Sequence, residues 1–415
     1  MQMHISNKVE LKKGIIVDHT LIIEEIDRSI KFYNWEFILP FLPSGSFLVG
    51  GYIRDIILCR LNKKIDIDIV VPKNSKEIGE KIAKDCQGKF ILLDKEREVV
   101  RIIFQDIEID IASRVSNSIK HDLSSRDFSI NSIAFSFDEK LIIDPQNGIK
   151  DIERSLLRTN SKKNLIDDPL RILRCFRFIS ELDFDIDLVM IDFIKKYKNK
   201  LNSVAKERIQ YELQRIIRGK NALKSIKLIK ELEILSFLQP EKDLIIFNSD
   251  KIKFKNYTQS ELERFLPLFY LVQILDEISL KKLNFNKSEI QNVKILRKWV
   301  TNLKQKTIDD FTEIERFDLH QQLETILPTF IFFLPYKFQL NWLTRWRDKG
   351  DKLYHPTNLI KGDVIKNSLE VQDGPLLGKL IRYLSIELAY KRLENFDEAI
   401  YKAKKWIKQN APKCD

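Results

Sequence analysis

The sequence predicts an α/β head followed by an all-α remainder, and three observations predict it. A short apolar run, Phe47-Leu48-Val49, meets Gly50-Gly51, an apolar helical segment carrying Arg54 and Asp55, and a second apolar run alternating with Asp66 and Asp68. Strand-like runs recur at residues 90–93, 99–104 and 107–111, and strands interleaved with helix make an α/β unit. From about Gly219 onward the apolar residues recur at helical spacing, with polar connections between the stretches.

At 415 residues the chain can bury more than one core, and more than one domain is expected. Lys and Arg number 71 against 60 Asp and Glu, a net charge of +11. This balance favours a polyanionic partner such as RNA, although Lys-rich solvated helices produce the same number. Four cysteines, Cys59, Cys86, Cys175 and Cys414, are scattered without CxxC spacing, which argues for a reducing compartment and against a disulfide framework or zinc site. Near the N-terminus, Asp18 and His19 interrupt the apolar residues, so neither a signal-peptide core nor a spanning segment forms. A soluble, cytoplasmic protein with no membrane partner is expected.

In chain order, Ile22, Ile26, Ile30 and Tyr33 predict a helix over residues 21–39. The stretch 47–71 then reads strand, glycine turn, helix, strand. In Ile65-Asp66-Ile67-Asp68-Ile69 the period is two, so both aspartates project from one face while the isoleucines pack on the other. Two like charges held so close repel unless a cation lies between them, and oxygen ligands of this kind suit Mg²⁺. A pair of such ions, roughly 3.5–4 Å apart, can serve an in-line phosphoryl displacement. Gly50 and Gly51 let a backbone approach a phosphate, and the N-terminus of the following helix favours an anion. Alone, a Gly-Gly is most often a turn and an Asp-x-Asp a solvated face; together in this order the catalytic reading is preferred.

Asn74 or Ser75 caps a helix to about Cys86, and Gly88 ends it. On the strand at 107–111, Asp106, Glu108 and Asp110 share a face by the same alternation. Asp110 is thus a candidate third metal ligand, with an ordinary polar face as the alternative.

The stretch 47–71 resembles the signature of the class II tRNA nucleotidyltransferase and bacterial poly(A) polymerase family. The resemblance implies a mixed-sheet, polymerase-beta-like head with metals on Asp66 and Asp68, and nucleotide contacts from Gly50, Gly51 and Arg54. Further motifs follow in family order. Arg126-Asp127-Phe128-Ser129-Ile130-Asn131 is similar to the motif whose arginine and aspartate contact the triphosphate and ribose, with Asn131 beside them. A guanidinium forks onto phosphate oxygens and a carboxylate accepts from sugar hydroxyls. The family usually has two consecutive arginines, and Ser125 stands at the first position here. Asp144-Pro145-Gln146-Asn147-Gly148 resembles a family turn, read as structural because Pro145 and Gly148 are turn residues.

Residues 167–178, DDPLRILRCFRF, resemble the family's nucleobase-selecting motif, with Asp167 where the family usually has glutamate. Pro169 fits a first helical turn, and Asp168 and Arg171, three apart, can face one side. Cytosine and adenine each present an amino donor beside an accepting ring nitrogen, whereas uracil and guanine present the reverse. An aspartate that accepts and an arginine that donates therefore admit C and A and reject U and G. Arg174 and Arg177 extend a basic face on this helix, Arg174 as a nucleotide contact and Arg177 as an RNA contact. Arg208 and Glu212, one helical turn apart, read as a structural pair that braces the selecting helix. Around Trp342, Arg345, Trp346 and Arg347 aromatic and basic residues interleave, which offers Trp346 to RNA, or equally reflects packed tryptophans flanked by surface arginines. Gly362-Asp363 and Gly374-Pro375 mark turns in a stretch similar to the family's C-terminal end.

These readings predict a head over residues 1–160, a base-selecting helical neck over 161–220 and a tRNA-binding helical body and tail over 221–415. The resemblance implies transfer of CMP and AMP to the tRNA 3′ end from CTP and ATP. CC-only addition, A-only addition, poly(A) synthesis and a non-catalytic RNA binder are the alternatives. The short segment between Arg114 and Arg126, where full CCA-adding relatives commonly carry a longer loop, speaks for CC-only addition.

Overall fold

The structure, a computed structural model, describes residues 14–61, 64–114, 116, 118–238, 254–356, 365, 368–369 and 374–410. Cys414 and Gly362-Asp363 lie outside the described residues. Among the described residues no helix is long and apolar enough to cross a membrane. Packing divides the chain into two units, Met1–Glu212 with Gly219–Leu228, and Leu213–Arg218 with Ile229–Asp415. The division into head, neck and body is finer than this: residues 1–160 and most of 161–220 fall within the first unit.

The first unit opens with α1 (His19–Phe32), whose N-cap Asp18 accepts from the Leu21 N–H and whose Ile22, Ile26 and Ile30 are buried. The helix stops seven residues short of the extent expected from periodicity. Asn34 takes a left-handed φ of 52°, and a 3-10 turn at Glu36–Phe41 follows, containing Pro40. Strands β1 (Phe47–Val49) and β2 (Ile65–Val71) flank α2 (Gly51–Ile57), as the apolar pattern requires. After α3 (Ser75–Asp85) come β3 (Lys89–Asp94), β4 (Val99–Ile103) and β5 (Ile107–Ser113), then α4 (Ile119–Ser125), β6 (Ala134–Ser136) and β7 (Ile142–Ile143). These form one seven-stranded sheet in the order β3-β4-β5-β2-β1-β6-β7. The β2–β5 pair is parallel and its neighbours are antiparallel, so the sheet is mixed. Ile65, Ile67 and Ile69 are buried on its core side, each contributing on the order of 2 kcal/mol by leaving water.

Helix α5 (Gly148–Glu153) starts at the predicted Asp-Pro turn. Asp144 accepts from the N–H groups of Gly148 and Ile149 at 2.7 and 3.0 Å, satisfying two orphan donors of the helix start. The short strand β8 (Leu156–Leu157) and helix α6 (Lys162–Asp167) lead into α7 (Leu170–Leu182). Beyond these lie β9 (Asp185–Ile186), α8 (Leu188–Tyr197), α9 (Lys206–Arg218) and α10 (Ala222–Glu231).

Among its described residues the second unit consists of helices and the turns that join them, with no strand. It contains α11 (Gln259–Ile274), α12 (Glu277–Lys282), α13 (Lys287–Gln305), α14 (Glu313–Leu323), α15 (Leu327–Ile331) and α16 (Tyr336–Arg347), then helices at Pro375–Ala389 and Phe396–Asn410. Capping boxes at Thr258/Glu261, Asn286/Glu289 and Thr312/Glu315 define three of the helix starts. The α/β head with an all-α remainder predicted from the sequence is the observed fold.

A Cβ added at Gly148 would sit 2.2 Å from the Ser129 carbonyl oxygen, a contact with backbone that cannot swing away. Gly148→Ala is expected to destabilise the first unit by about 1–3 kcal/mol, as overpacking does. Urea denaturation measures this, and an unchanged midpoint would contradict the close seating of α5.

Candidate active site

The β1–α2 turn brings three candidates together. Gly50 has φ 81°, and a Cβ there would lie 2.8 Å from Asp68 Oδ2 and 2.9 Å from Arg126 Nη1. Only glycine therefore leaves the space between the carboxylate and the guanidinium open. Helix α2 is a single seven-residue segment, so the anion-binding capacity here rests on the open backbone and on Arg126 more than on a helix dipole.

Asp66 and Asp68 stand on one side of β2, Asp66 exposed and Asp68 partly buried. Neither carboxylate has a hydrogen-bond or ion-pair partner among the described residues. Desolvation, with Glu108 next, raises the Asp66 pKa. Desolvation raises that of Asp68 to about 6, against the pull of Arg126 and with the push of Asp110 and Asp66. A carboxylate pair that is costly to ionise without a cation, beside a cradle that a Cβ would fill, fits a divalent ion with oxygen ligands. No set of three His, Cys, Asp or Glu side chains converges as a ready cage among the described residues. Asp110, the suggested third ligand, is otherwise engaged: Arg101 donates to both its oxygens, from Nε at 2.7 Å and Nη2 at 2.8 Å.

A second constellation surrounds Asp127. Arg54 is buried, and it donates from Nη1 to Asn131 Oδ1 at 2.6 Å and from Nε to Asp55 at 3.0 Å. Asn131 in turn donates to Asp127 Oδ1 at 3.0 Å. The Phe128 N–H also reaches Asp127 Oδ1, and Arg174 forks onto Oδ2 at 2.9 and 2.6 Å. Burial works against the Asp127 anion, but Arg174 and these hydrogen bonds outweigh it and hold the pKa at about 2. Arg54, Asn131, Asp127 and Arg174, all expected to touch the nucleotide, are joined by hydrogen bonds to one another in the free protein, with Asp55 and Glu212 as outer partners. They act as a strut between the nucleotide motif and α7. Arg177, expected to reach RNA, is 5% exposed, packs over the Phe178 ring and pairs with Glu212 at 3.2 Å.

The base-selecting candidates meet at the start of α7. Asp168 accepts from the Leu170 N–H at 3.3 Å, and it and Arg171 were expected to face one side. The two do not pair with each other: Arg171 donates to the Ser125 carbonyl at 3.0 Å, and Asp168 pairs with Arg208 at 3.2 Å. Arg208 and Glu212 do not form the i,i+4 pair expected on α9. Arg208 holds Asp168 while Glu212 takes Arg177 and, at 3.8 Å, Arg174. Bracing of the selecting helix is present, made between helices instead of along one. Arg208's partner was missed because sequence spacing finds neighbours on a helix and not across two.

In the second unit, Trp346 donates its indole N–H to the Glu324 carbonyl at 2.9 Å and meets Phe265 edge-on. Arg345 pairs with Asp351, and Arg347 with Glu261. These contacts accord with the packing alternative of the two readings, with Trp346 partly buried.

Comparison with known proteins adds the following. Residues 46–158 match the family profile described as poly A polymerase head domain, and residues 183–245 that described as probable RNA and SrmB- binding site of polymerase A. A CC-adding tRNA nucleotidyltransferase of Synechocystis sp. is 26% identical, across 88% of this chain and 94% of its own length. A CC-adding tRNA nucleotidyltransferase of Geobacter sulfurreducens is 35% identical across 42% of this chain and 40% of its own. A solved Thermotoga maritima CCA-adding enzyme complexed with tRNA superposes with a TM-score of 0.69 at 22% identity, covering 94% of this chain and 98% of that one, and shares the fold.

Arg174→Met is expected to remove about 2 kcal/mol of stability at neutral pH, since it strands a buried anion, discounted for the partial exposure of Arg174. The folded Asp127 pKa lies below the unfolded value of about 3.9, so the pair's contribution is complete above the unfolded value and is lost as pH falls towards 2. Urea denaturation of both proteins should show the gap falling to about half near pH 3. A gap that does not change with pH would contradict the pairing.

Proposed function

We propose that this chain, whose residues 46–158 are a head domain of the poly A polymerase family, is a template-independent nucleotidyltransferase that adds CMP and AMP to the 3′ end of tRNA from CTP and ATP. One observation carries the reading: the unpartnered Asp66–Asp68 pair, the Gly50 turn and Arg126 share one corner of the sheet. In the reaction the tRNA 3′-oxygen bonds to the α-phosphorus of the nucleotide and pyrophosphate leaves. Arg126 can turn towards the triphosphate, since among the described residues its ion pair is a 3.5 Å contact to Asp122. Asp66 and Asp68 would hold divalent ions, Mg²⁺ by the oxygen ligands. Such ions, when bound, ease deprotonation of the attacking hydroxyl and neutralise charge on the leaving group.

Asp168 and Arg171 read the base by the donor and acceptor pattern that C and A share. In the free protein each keeps a substitute partner, Arg208 and the Ser125 carbonyl, so the base exchanges one hydrogen bond for another instead of facing bare groups. The body and tail are proposed to bind the tRNA, consistent with the chain's net charge of +11.

A second reading, addition of CC only, is favoured by a specific observation. The short segment before Arg126 is largely α4, and its Ile119 and Leu123 are buried against Phe47, Val49 and Val70. It is anchored to the sheet, not a long free loop. The CC-adding relatives are in accord with this.

Purified protein with Mg²⁺ and tRNAs ending before CCA, after one C and after both Cs, given CTP and ATP separately and together, discriminates the outcomes. Growth to full CCA supports the main reading, and arrest after the second C supports CC-only addition. Use of ATP alone on the CC-ending tRNA marks an A-adding enzyme, and a long A ladder a poly(A) polymerase. No incorporation points to an RNA binder without catalysis. Asp66→Asn and Asp68→Asn should each lower transfer on the order of a thousandfold with the fold intact; near-normal transfer in either would overturn the metal assignment.

A further inference from the structure

The parallel register of β2 and β5 sets Asp66 opposite Glu108 and Asp68 opposite Asp110, four carboxylates in two facing rows. Among the described residues one row is neutralised by ion pairs. Antiparallel pairing sets Arg101 of β4 opposite Asp110. Its guanidinium forks onto both Asp110 oxygens at 2.7 and 2.8 Å and reaches Glu108 Oε2 from Nη1 at 3.0 Å. Lys64 closes on the other Glu108 oxygen. The β2 row has no such partner among the described residues.

We propose that Arg101 is a built-in cation that withholds the β5 carboxylates from the metal site, so that Asp66 and Asp68 alone ligate the ions and the free protein binds them weakly. Three side-chain ligands would hold an ion without nucleotide, whereas two leave most of its coordination to water and to phosphate oxygens. Arg101 therefore ties metal occupancy to the arrival of the nucleotide. It touches neither substrate nor reacting atoms, and it acts as a positioning residue through Asp110. This inference rests on the reading that Asp66 and Asp68 hold the metal.

The test is Mn²⁺ affinity of the full-length protein without nucleotide, read from the free Mn²⁺ signal in electron paramagnetic resonance. Arg101→Gln frees Asp110 and should bind Mn²⁺ at least about tenfold more tightly than the parent, as an added anionic ligand does. The charge-neutral double variant Arg101→Gln/Asp110→Asn should return to within about threefold of the parent. It also guards against misfolding, because it removes the Asp110 charge together with the Arg101 charge that neutralises it, and Lys64 stays on Glu108. An Arg101→Gln protein that is folded by circular dichroism yet binds no more tightly would overturn the proposal. So would a double variant at least about tenfold weaker than the parent, because Asp110 would then be a ligand already. Asp68→Asn separates the two levels: if it keeps the parent's Mn²⁺ affinity, the metal reading itself fails; if it loses it, that reading stands whatever Arg101 does.

Discussion

Four carboxylates on two adjacent parallel strands cannot all stay ionised without cations, and the chain's answer to that constraint organises the site. Arg101 and Lys64 discharge the β5 row, while on the β2 row burial, with the push of Asp110 and Asp66 and against the pull of Arg126, raises the Asp68 pKa to about 6. Electrostatic strain is therefore concentrated where an external cation would relieve it. The Gly50 turn keeps the approach to that corner open, because any side chain would fill it.

The proposed function adds a second requirement, that this corner be held at a fixed distance from α7, the helix proposed to read the base. The strut from Arg54 through Asn131, Asp127 and Arg174 to Glu212 does this. It links α2, the nucleotide motif, α7 and α9 through side chains that are mostly buried. Buried ion pairs stabilise weakly in net terms, but breaking one is costly, so such a strut has one low-energy arrangement. That suits a site where a phosphate and a base must be gripped at once.

Much of this was legible in the sequence. Period-two alternation put Asp66 and Asp68 on one face, and the strand, turn, helix, strand order is the order found. The Asp144 turn and the α7 start were set by local turn and cap chemistry. Contacts between elements were not legible. Which groups Arg54, Asp127, Arg174 and Arg177 would meet depends on how α2, α7 and α9 pack, and a motif lists residue types without their partners. For the same reason Arg208 was assigned to Glu212, its helical neighbour, when tertiary packing gives it Asp168. Arg101 carried no sequence signal at all, since its meaning comes from strand register alone. Helix α1 was overextended because periodicity persists through Tyr33, while the left-handed Asn34 ends the helix.

The central claim is that protein side chains, with no template, choose the nucleotide. Its most direct measurement is calorimetric binding of CTP, ATP and UTP to the RNA-free protein with Mg²⁺, before and after Arg171→Ala. The account predicts that the unmodified protein binds CTP at least about tenfold more tightly than UTP, because the uracil carbonyl would face the Asp168 carboxylate and the uracil ring N–H the Arg171 guanidinium, acceptor against acceptor and donor against donor, and that the substitution removes most of that preference. Equal affinity for CTP and UTP in the unmodified protein, or a preference untouched by the substitution, would contradict it.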